Sequence, residues 1–468
     1  MAERRKVIVV DDDPTGSQTV HSAPLLLRWD SASLRRGLRH PSPLLFVLAN
    51  TRALDPQEAR LRVREICRSL RLALAEAEAE GVLDRWLVVS RGDSTLRGHF
   101  PLEVNGIEAE LGPFDATLLV PAFLPGGRTT RSGVHHLHGE PVHTTDFARD
   151  RLFGFRSSYL PDWVAEKTGG AIPAEAVERL DLADLDGPVD ALRTRLAALR
   201  GQRIVAVDAE RPEQLAALGD ALWSSERRLL FQSAASLING LVPLPPQPLD
   251  AAGLAGLRRR GPSGETLPLL VVVGSHVPLA DQQLDQLLQE PACEGVEIAV
   301  AKLARVLEGP AAPQLIHSLE QSWLQQLRDV LRQGRTPVLF SSRGELVCAS
   351  ALERRRLGLA LAALMARLAA ALAPQLGLII SKGGITTHTL LADGLQLDSV
   401  ELQGQLLPGL SVVLTSAEAL VPHLPVITFP GNLGDAGSLR HAWWLMTQPL
   451  AAAAAREGPE EALGFVSK

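Results

Sequence analysis

Three consecutive carboxylates, Asp11, Asp12 and Asp13, stand where a short apolar run ends, and Pro14-Thr15-Gly16-Ser17 follows them. So dense an acidic cluster is stable only beside a cation, a shared proton or arginines. The ends of the next apolar runs supply arginines: Asn50-Thr51-Arg52, then Ser90-Arg91-Gly92-Asp93-Ser94-Thr95-Leu96-Arg97-Gly98-His99, and later Gly126-Gly127-Arg128. Arg52, Arg91 and Arg97 converging on the aspartates would make a site of both signs, which suits a hydroxy acid. Guanidinium forks and Ser/Thr hydroxyls hold the carboxylate, while an aspartate accepts the proton of a hydroxyl. An N-cap and turn cluster closed by salt bridges is the plainer alternative for any one of these loops. It explains the whole set less well, because polar strand ends converge at ligand sites.

The second half of the chain carries a different chemistry. Gly274-Ser275-His276, Lys382-Gly383-Gly384-Ile385-Thr386-Thr387 and Gly431-Asn432-Leu433-Gly434-Asp435-Ala436-Gly437-Ser438 each follow a buried apolar run and precede a helix start. Glycines let backbone N–H groups approach an anion and the helix start adds a favourable dipole, so three such turns side by side make a phosphate cradle. Only five of the 47 Lys and Arg residues are lysines, which singles out Lys382 as a partner for a terminal phosphate. Neither a G-x-x-x-x-G-K-[ST] loop nor a G-x-G-x-x-G fingerprint is present. His135, His136, His138 and His143 crowd one loop, but they lack metal-ligand spacing and suit substrate contact equally well. His388 reads as a surface or packing residue.

The elements that must position these loops are short Val/Ile/Leu runs: Lys6–Val10, Leu44–Leu48, Trp86–Val89, Thr117–Val120 and Arg203–Val207, then Leu269–Val273, Val296–Val300, Pro337–Phe340, Leu378–Ile380, Val412–Leu414 and Val426–Phe429. Helical patterns separate most of them, as in Asp55–Glu80, with an Asp-Pro start and Gly81 as its stop. Alternation of this kind predicts an α/β fold of two domains, each a mainly parallel sheet flanked by helices, with the site in the cleft between them. The Pro-, Gly- and Arg-rich stretch 241–268 reads as a linker between residues 1–240, which carry the mixed acid and guanidinium loops, and residues 269–468, which carry the phosphate cradle.

Length and composition agree with this plan. A chain of 468 residues exceeds what one core usually supports, and 46% hydrophobic with 21% charged residues is an ordinary globular balance. A formal charge of -6 gives no cationic field for nucleic acid. Cys67, Cys293 and Cys348 match no zinc or disulfide spacing and are expected to pack in a reducing, cytoplasmic compartment. Carboxylates follow the short basic start within a few residues, so no secretory leader is expected. The apolar stretch Leu357–Ala373 is interrupted by Arg367 and reads as a buried helix, with no membrane partner expected. Ala451–Ala455 reads as part of a terminal helix. Assembly as a homodimer is left open.

The motifs VVDDDPTGSQTVH, NTRAL, SRGDSTLRGH, PAFLPGGRTT with GVH, GSHVPLADQQL, SKGGITTH with GQLLPG, and FPGNLGD, taken in order, resemble the four-carbon acid sugar kinase family over about residues 6–439. The resemblance implies an N-terminal domain for the sugar acid, a C-terminal domain for ATP, and phosphoryl transfer across the cleft. It implies substrate-binding roles for Asp12 and Asp13, Arg52, Arg91, Ser94 and Thr95, and nucleotide-binding roles for Ser275, Gly383, Gly384 and Gly431. Many members carry Gly-Gly-Asp-Thr where this chain has Gly383-Gly384-Ile385-Thr386 after Lys382, as in a sub-branch, so the identity of the acid stays open among threonate, erythronate, 2-oxo- or 3-oxo-tetronate and an acid of another chain length.

The expected mechanism is in-line attack of a sugar-acid hydroxyl on the γ-phosphate, with Asp12 or Asp13 taking the proton late and Mg²⁺ bridging the phosphates. A ribokinase-type enzyme using Asp435 as base is the rival within enzymes, and a non-catalytic sugar-acid sensor with the same hinge is the rival outside them.

Overall fold

The apolar runs pair with one another into a single sheet, fifteen strands wide. The computed structural model describes residues 3–17, 19–307, 312–344 and 351–448; Cys348 and the Ala451–Ala455 stretch lie outside these. Across the sheet the order is Cys293–Ile298, Thr336–Ser341, Leu269–Val273, Leu378–Lys382, Pro425–Phe429, Leu410–Thr415, Ser399–Leu407, Ala23–Leu26, Leu44–Leu48, Arg5–Asp11, Arg85–Arg91, Leu229–Ser233, Ala116–Val120, Arg203–Val207 and Glu178–Leu180. The eight strands from Ala23–Leu26 onward are all parallel, as are the first five. The hairpin Ser399–Leu407 with Leu410–Thr415 runs antiparallel between the two sets.

The expectation of one sheet per half is therefore refined: the two parallel sheets are fused edge to edge, with Val400 opposite Leu25. The fusing strand escapes a search for continuous apolar runs because its sequence, SVELQGQLL, alternates, with every second side chain buried. Leu229–Ser233 was also missed, though it lies between Arg85–Arg91 and Ala116–Val120. The predicted strand Val296–Val300 begins earlier, at Cys293, and a helix already starts at Val300.

Period-two alternation divides the core. Val7 and Val9 face one apolar cluster, which continues under both halves through Leu25 and Phe46 to Val400, Leu402 and Val413. Ile8 and Val10 face a second cluster, where Ile66, Cys67 and Leu70 of the helix Pro56–Ala79 cover the sheet. That helix opens on a reciprocal capping box between Asp55 and Glu58. A third cluster, around Val271, Ile380 and Phe429, fills the second half. The helix Ala351–Leu372 has the length and apolar composition of a membrane span, yet sends Leu361, Leu364, Met365 and Leu368 into the shared core. Cys67 and Cys293 are packing thiols, pushed by burial up to about 12.

Candidate active site

Parallel pairing brings the C-terminal ends of neighbouring strands to one edge. Asp11 lies in register with Leu48 on one side and Arg91 on the other, so the loops after all three strands meet. Backbone bonds lock the junction: Asp12 N–H donates to Arg91 O at 3.1 Å and Arg52 N–H to Asp12 O at 3.2 Å. Asn50, at φ 50°, turns the second loop inward. Gly16 folds over Asp11 so closely that a Cβ there would lie 2.0 Å from its carboxylate oxygen, so only glycine fits.

Arg52 is the hub. Its Nη2 and Nε donate to the two oxygens of Asp12 at 2.8 and 3.1 Å, and it stands 3.6 Å from Asp13 and 3.7 Å from Asp93. Arg91 reaches Asp12 at 3.4 Å and Asp11 at 3.7 Å. Arg97 holds Asp93 at 2.7 Å, and the Thr95 hydroxyl donates to the same carboxylate. Burial lifts Asp11 to about 7. Burial also raises Asp12 against the pull of Arg52 and Arg91, but the bidentate fork identifies it as an ionised carboxylate. For Asp13 burial is outweighed by Arg52 and by two bonds from Thr15, which hold it below the usual carboxylate range. Asp13 is the most open of the three aspartates, at 20% side-chain exposure against 1–2% for Asp11 and Asp12.

Three further residues, Asp93, Glu103 and His135, brace this cluster. Asp93 ties Arg52 to Arg97. Glu103, buried on the helix Leu102–Leu111, accepts from the Thr51 hydroxyl, and burial together with the Asp12 charge raises its pKa. His135 is fully buried, with Nε2 2.8 Å from Ser94 O and Nδ1 2.9 Å from Thr130 Oγ1. A carbonyl only accepts, so Nε2 carries the proton and Nδ1 receives the hydroxyl. Burial pushes this ring down to about 4. An unfolded histidine titrates near 6.5, so as pH falls from 6.5 towards 4 the unfolded chain takes up a proton that the folded one refuses. Stability should drop across that window by about 3 kcal/mol on this account alone. His135→Gln should remove that contribution: the native protein's advantage in denaturant midpoint should shrink between pH 7 and pH 4.5, and a constant difference would show that the ring is not neutral in the fold.

On the other half, the three glycine turns follow adjacent strands, with Val273 opposite Lys382 and Lys382 opposite Phe429. Ser275 is central. A Cβ on Gly431 would lie 2.8 Å from Ser275 Oγ, and one on Gly383 would lie 3.2 Å from Ser275 N. Gly383, at φ 112°, adopts a conformation that L side chains rarely adopt. Lys382 is placed differently from the sequence expectation. It is the last residue of a strand paired on both sides, its side chain is fully buried, and its Nζ donates to Pro430 O and Gly431 O at 3.0 and 3.2 Å over the Phe429 ring. It pins the third turn from inside, and its ammonium is committed there. Asp435 accepts from Gly437 N–H and the Ser438 hydroxyl, closing the turn before the helix Ser438–Thr447.

The two groups of loops touch. A Cβ on Gly384 would lie 3.2 Å from Asp13 Oδ2 and 3.6 Å from Pro14 Cγ, so the acidic loop rests directly on the second glycine turn. His388, on the helix begun by that turn, is largely buried and feels the charges of Asp393, Arg62 and Asp13. Asp12, Asp13, Arg52, Arg91, Ser94 and Thr95 form one wall, and Ser275, Gly383, Gly384 and Gly431 form the other.

Residues 7–241 match the family model of a sugar-binding N-terminal domain, and residues 270–439 that of a nucleotide-binding C-terminal domain. A D-threonate kinase of Salmonella typhimurium is 28% identical over 77% of this chain and 81% of its own length, and one of Cupriavidus necator 26% identical over 86% and 88%. A D-erythronate kinase of Heliobacterium modesticaldum is 27% identical, and there the match spans 59% of each chain. A solved structure from Salmonella typhimurium LT2 shares the fold with a TM-score of 0.63 at 19% identity, covering 94% of this chain and 98% of that one. A second, from Haemophilus influenzae, gives 0.55 at 16%, covering 94% and 100%. With both family models matched in order over most of its length, the chain belongs to the four-carbon acid sugar kinase family.

Proposed function

We propose that the protein is a cytoplasmic, ATP-dependent kinase that phosphorylates a hydroxyl of a small, four-carbon sugar acid, with residues 1–240 holding the acid and residues 269–468 the nucleotide. The observation that carries this reading is the abutment of Asp13 on Gly384: a carboxylate able to accept a hydroxyl proton stands against a turn able to receive phosphate. The D-threonate and D-erythronate kinases among the relatives support the choice of acid.

Arg52, Arg91 and the Ser94–Thr95 loop orient the acid, and alignment of the attacking oxygen supplies most of the acceleration. Asp13, ionised and the most accessible carboxylate, takes the proton as the new P–O bond forms. Asp12 keeps Arg52 and Arg91 in place. Backbone amides at Ser275 and Gly431 face the phosphates, while the Gly383 amide is held by Phe429 O at 2.9 Å and its missing side chain leaves room beside Ser275; Lys382 fixes the last of these turns. Mg²⁺ brought by the nucleotide would neutralise phosphate charge. Among the described residues no group of three or more His, Cys, Asp or Glu side chains is placed to hold a metal by itself, so the phosphates would supply most of its ligands.

A coupled ADP-release assay over three- to six-carbon sugar acids tests the reading. ADP release that requires a four-carbon acid is the expected result. Thermal stabilisation by an acid without any turnover would instead make the protein a sensor.

A further inference from the structure

Beside the Asp93–Gly98 loop, Trp163 and Gln232 line one small pocket whose other walls include Leu96, Phe100 and Leu119. The cavity measures about 20 Å³, room for a single water-sized group such as a hydroxyl. The indole Nε1 of Trp163 and the Oε1 of Gln232 are both buried and both without a hydrogen-bond partner. The residues themselves are only 3% and 9% exposed. An unpaired buried polar atom costs roughly 1–3 kcal/mol, so one donor and one acceptor left open beside the same cavity call for a water-sized polar partner.

Both side chains are confined. Trp163, on the helix Leu160–Lys167, packs against Phe100 with ring centroids 4.8 Å apart. Gln232 interrupts the otherwise apolar strand run LLF, and its amide presses on Gly92, where a Cβ would lie 2.5 Å from Nε2. The charged residues lining the pocket, Asp93 and Arg97, neutralise each other at 2.7 Å, which disfavours a carboxylate. A neutral group that both donates and accepts is a hydroxyl, and it fits either orientation of the Gln232 amide.

We propose that this pocket is the subsite for a non-reacting hydroxyl of the sugar acid, accepting from Trp163 Nε1–H and donating to the Gln232 amide, so that these two residues select the hydroxylation pattern of the substrate. The inference rests on the sugar-acid kinase reading and deepens it. Neither residue touches the transferred phosphoryl group; both act on substrate choice.

The test compares D-threonate and D-erythronate with the mono-deoxy acids 2,4-dihydroxybutanoate and 3,4-dihydroxybutanoate, using the native protein, Trp163→Phe and Gln232→Met. Native kcat/KM should favour the fully hydroxylated acid over one deoxy acid by ~10-fold or more, the worth of one well-made hydrogen bond. Each variant should bring that ratio close to one by losing activity on the hydroxylated acid alone. A ratio unchanged from native, or equal losses on both acids, overturns the proposal and leaves the pocket a store for ordered water or a packing feature. Gln232→Met gives the same reading if the indole variant folds poorly. If the native protein turns over none of these acids, the choice of acid fails by itself. The thermal shift given by hydroxylated against deoxy acid, native against variant, then decides the subsite without turnover.

Discussion

Asp13→Asn should lower kcat by about 10²–10⁴-fold, the usual contribution of a positioned proton acceptor, while nucleotide affinity stays within a few-fold of native. The amide is a close test of the charge. Its oxygen can still accept from Thr15 N–H, which the carboxylate now does at 2.8 Å, so the turn that rests on Gly384 is retained. Asp12→Asn should behave differently. Asp12 receives both arms of Arg52 and a contact from Arg91, so weakening it should misplace both guanidinium groups and raise KM for the acid more than it lowers kcat. Steady-state kinetics of the two variants, with nucleotide binding measured separately, distinguish the roles. Turnover by Asp13→Asn within threefold of native would remove Asp13 from proton transfer; a kcat defect confined to Asp12→Asn would assign the proton to its neighbour.

Much of this site was legible in the sequence because parallel sheets make it so. A continuous apolar run announces a strand buried on both faces, and the residue after it must lie at the ligand edge. Asp12, Arg52 and Arg91 were found on that rule, and Ser275, Gly383 and Gly431 likewise. The rule fails where burial alternates. Ser399–Leu407 reads as polar because one face is half open, and with it went the fusion of the two sheets. Leu229–Ser233 is short and ends in Gln-Ser, so the strand between Arg85–Arg91 and Ala116–Val120 was overlooked, and Gln232 with it. Lys382 shows a further limit. Its scarcity marked it, but whether a residue at a strand end points into the cleft or the core depends on one position of register, and here the strand carries it inside. The histidine-rich loop is a similar case, since composition left it suited to substrate contact while folding commits His135 to Ser94 and Thr130.

Arg52 offers the most severe perturbation. Among the described residues it is the one guanidinium in contact with Asp12, Asp13 and Asp93 together, and those three carboxylates drive its own pKa well above the ordinary value even though burial opposes them. Arg52→Met would leave a largely buried acidic cluster facing only Arg91 and Arg97, and stranding such charge costs about 3–5 kcal/mol. Without Arg52 the aspartates hold protons more tightly folded than unfolded, so the variant should regain stability as pH falls towards the carboxylate range and lose it again as pH rises. That slope is opposite to the one expected from His135 in the native protein, so the two can be separated in one series of denaturation curves. Arg52→Lys restores the charge but not the fork; it should recover most of the stability and little of the sugar-acid turnover. Equal recovery of both would mean that Arg52 serves only to neutralise the aspartates, and that the acid is oriented by other groups.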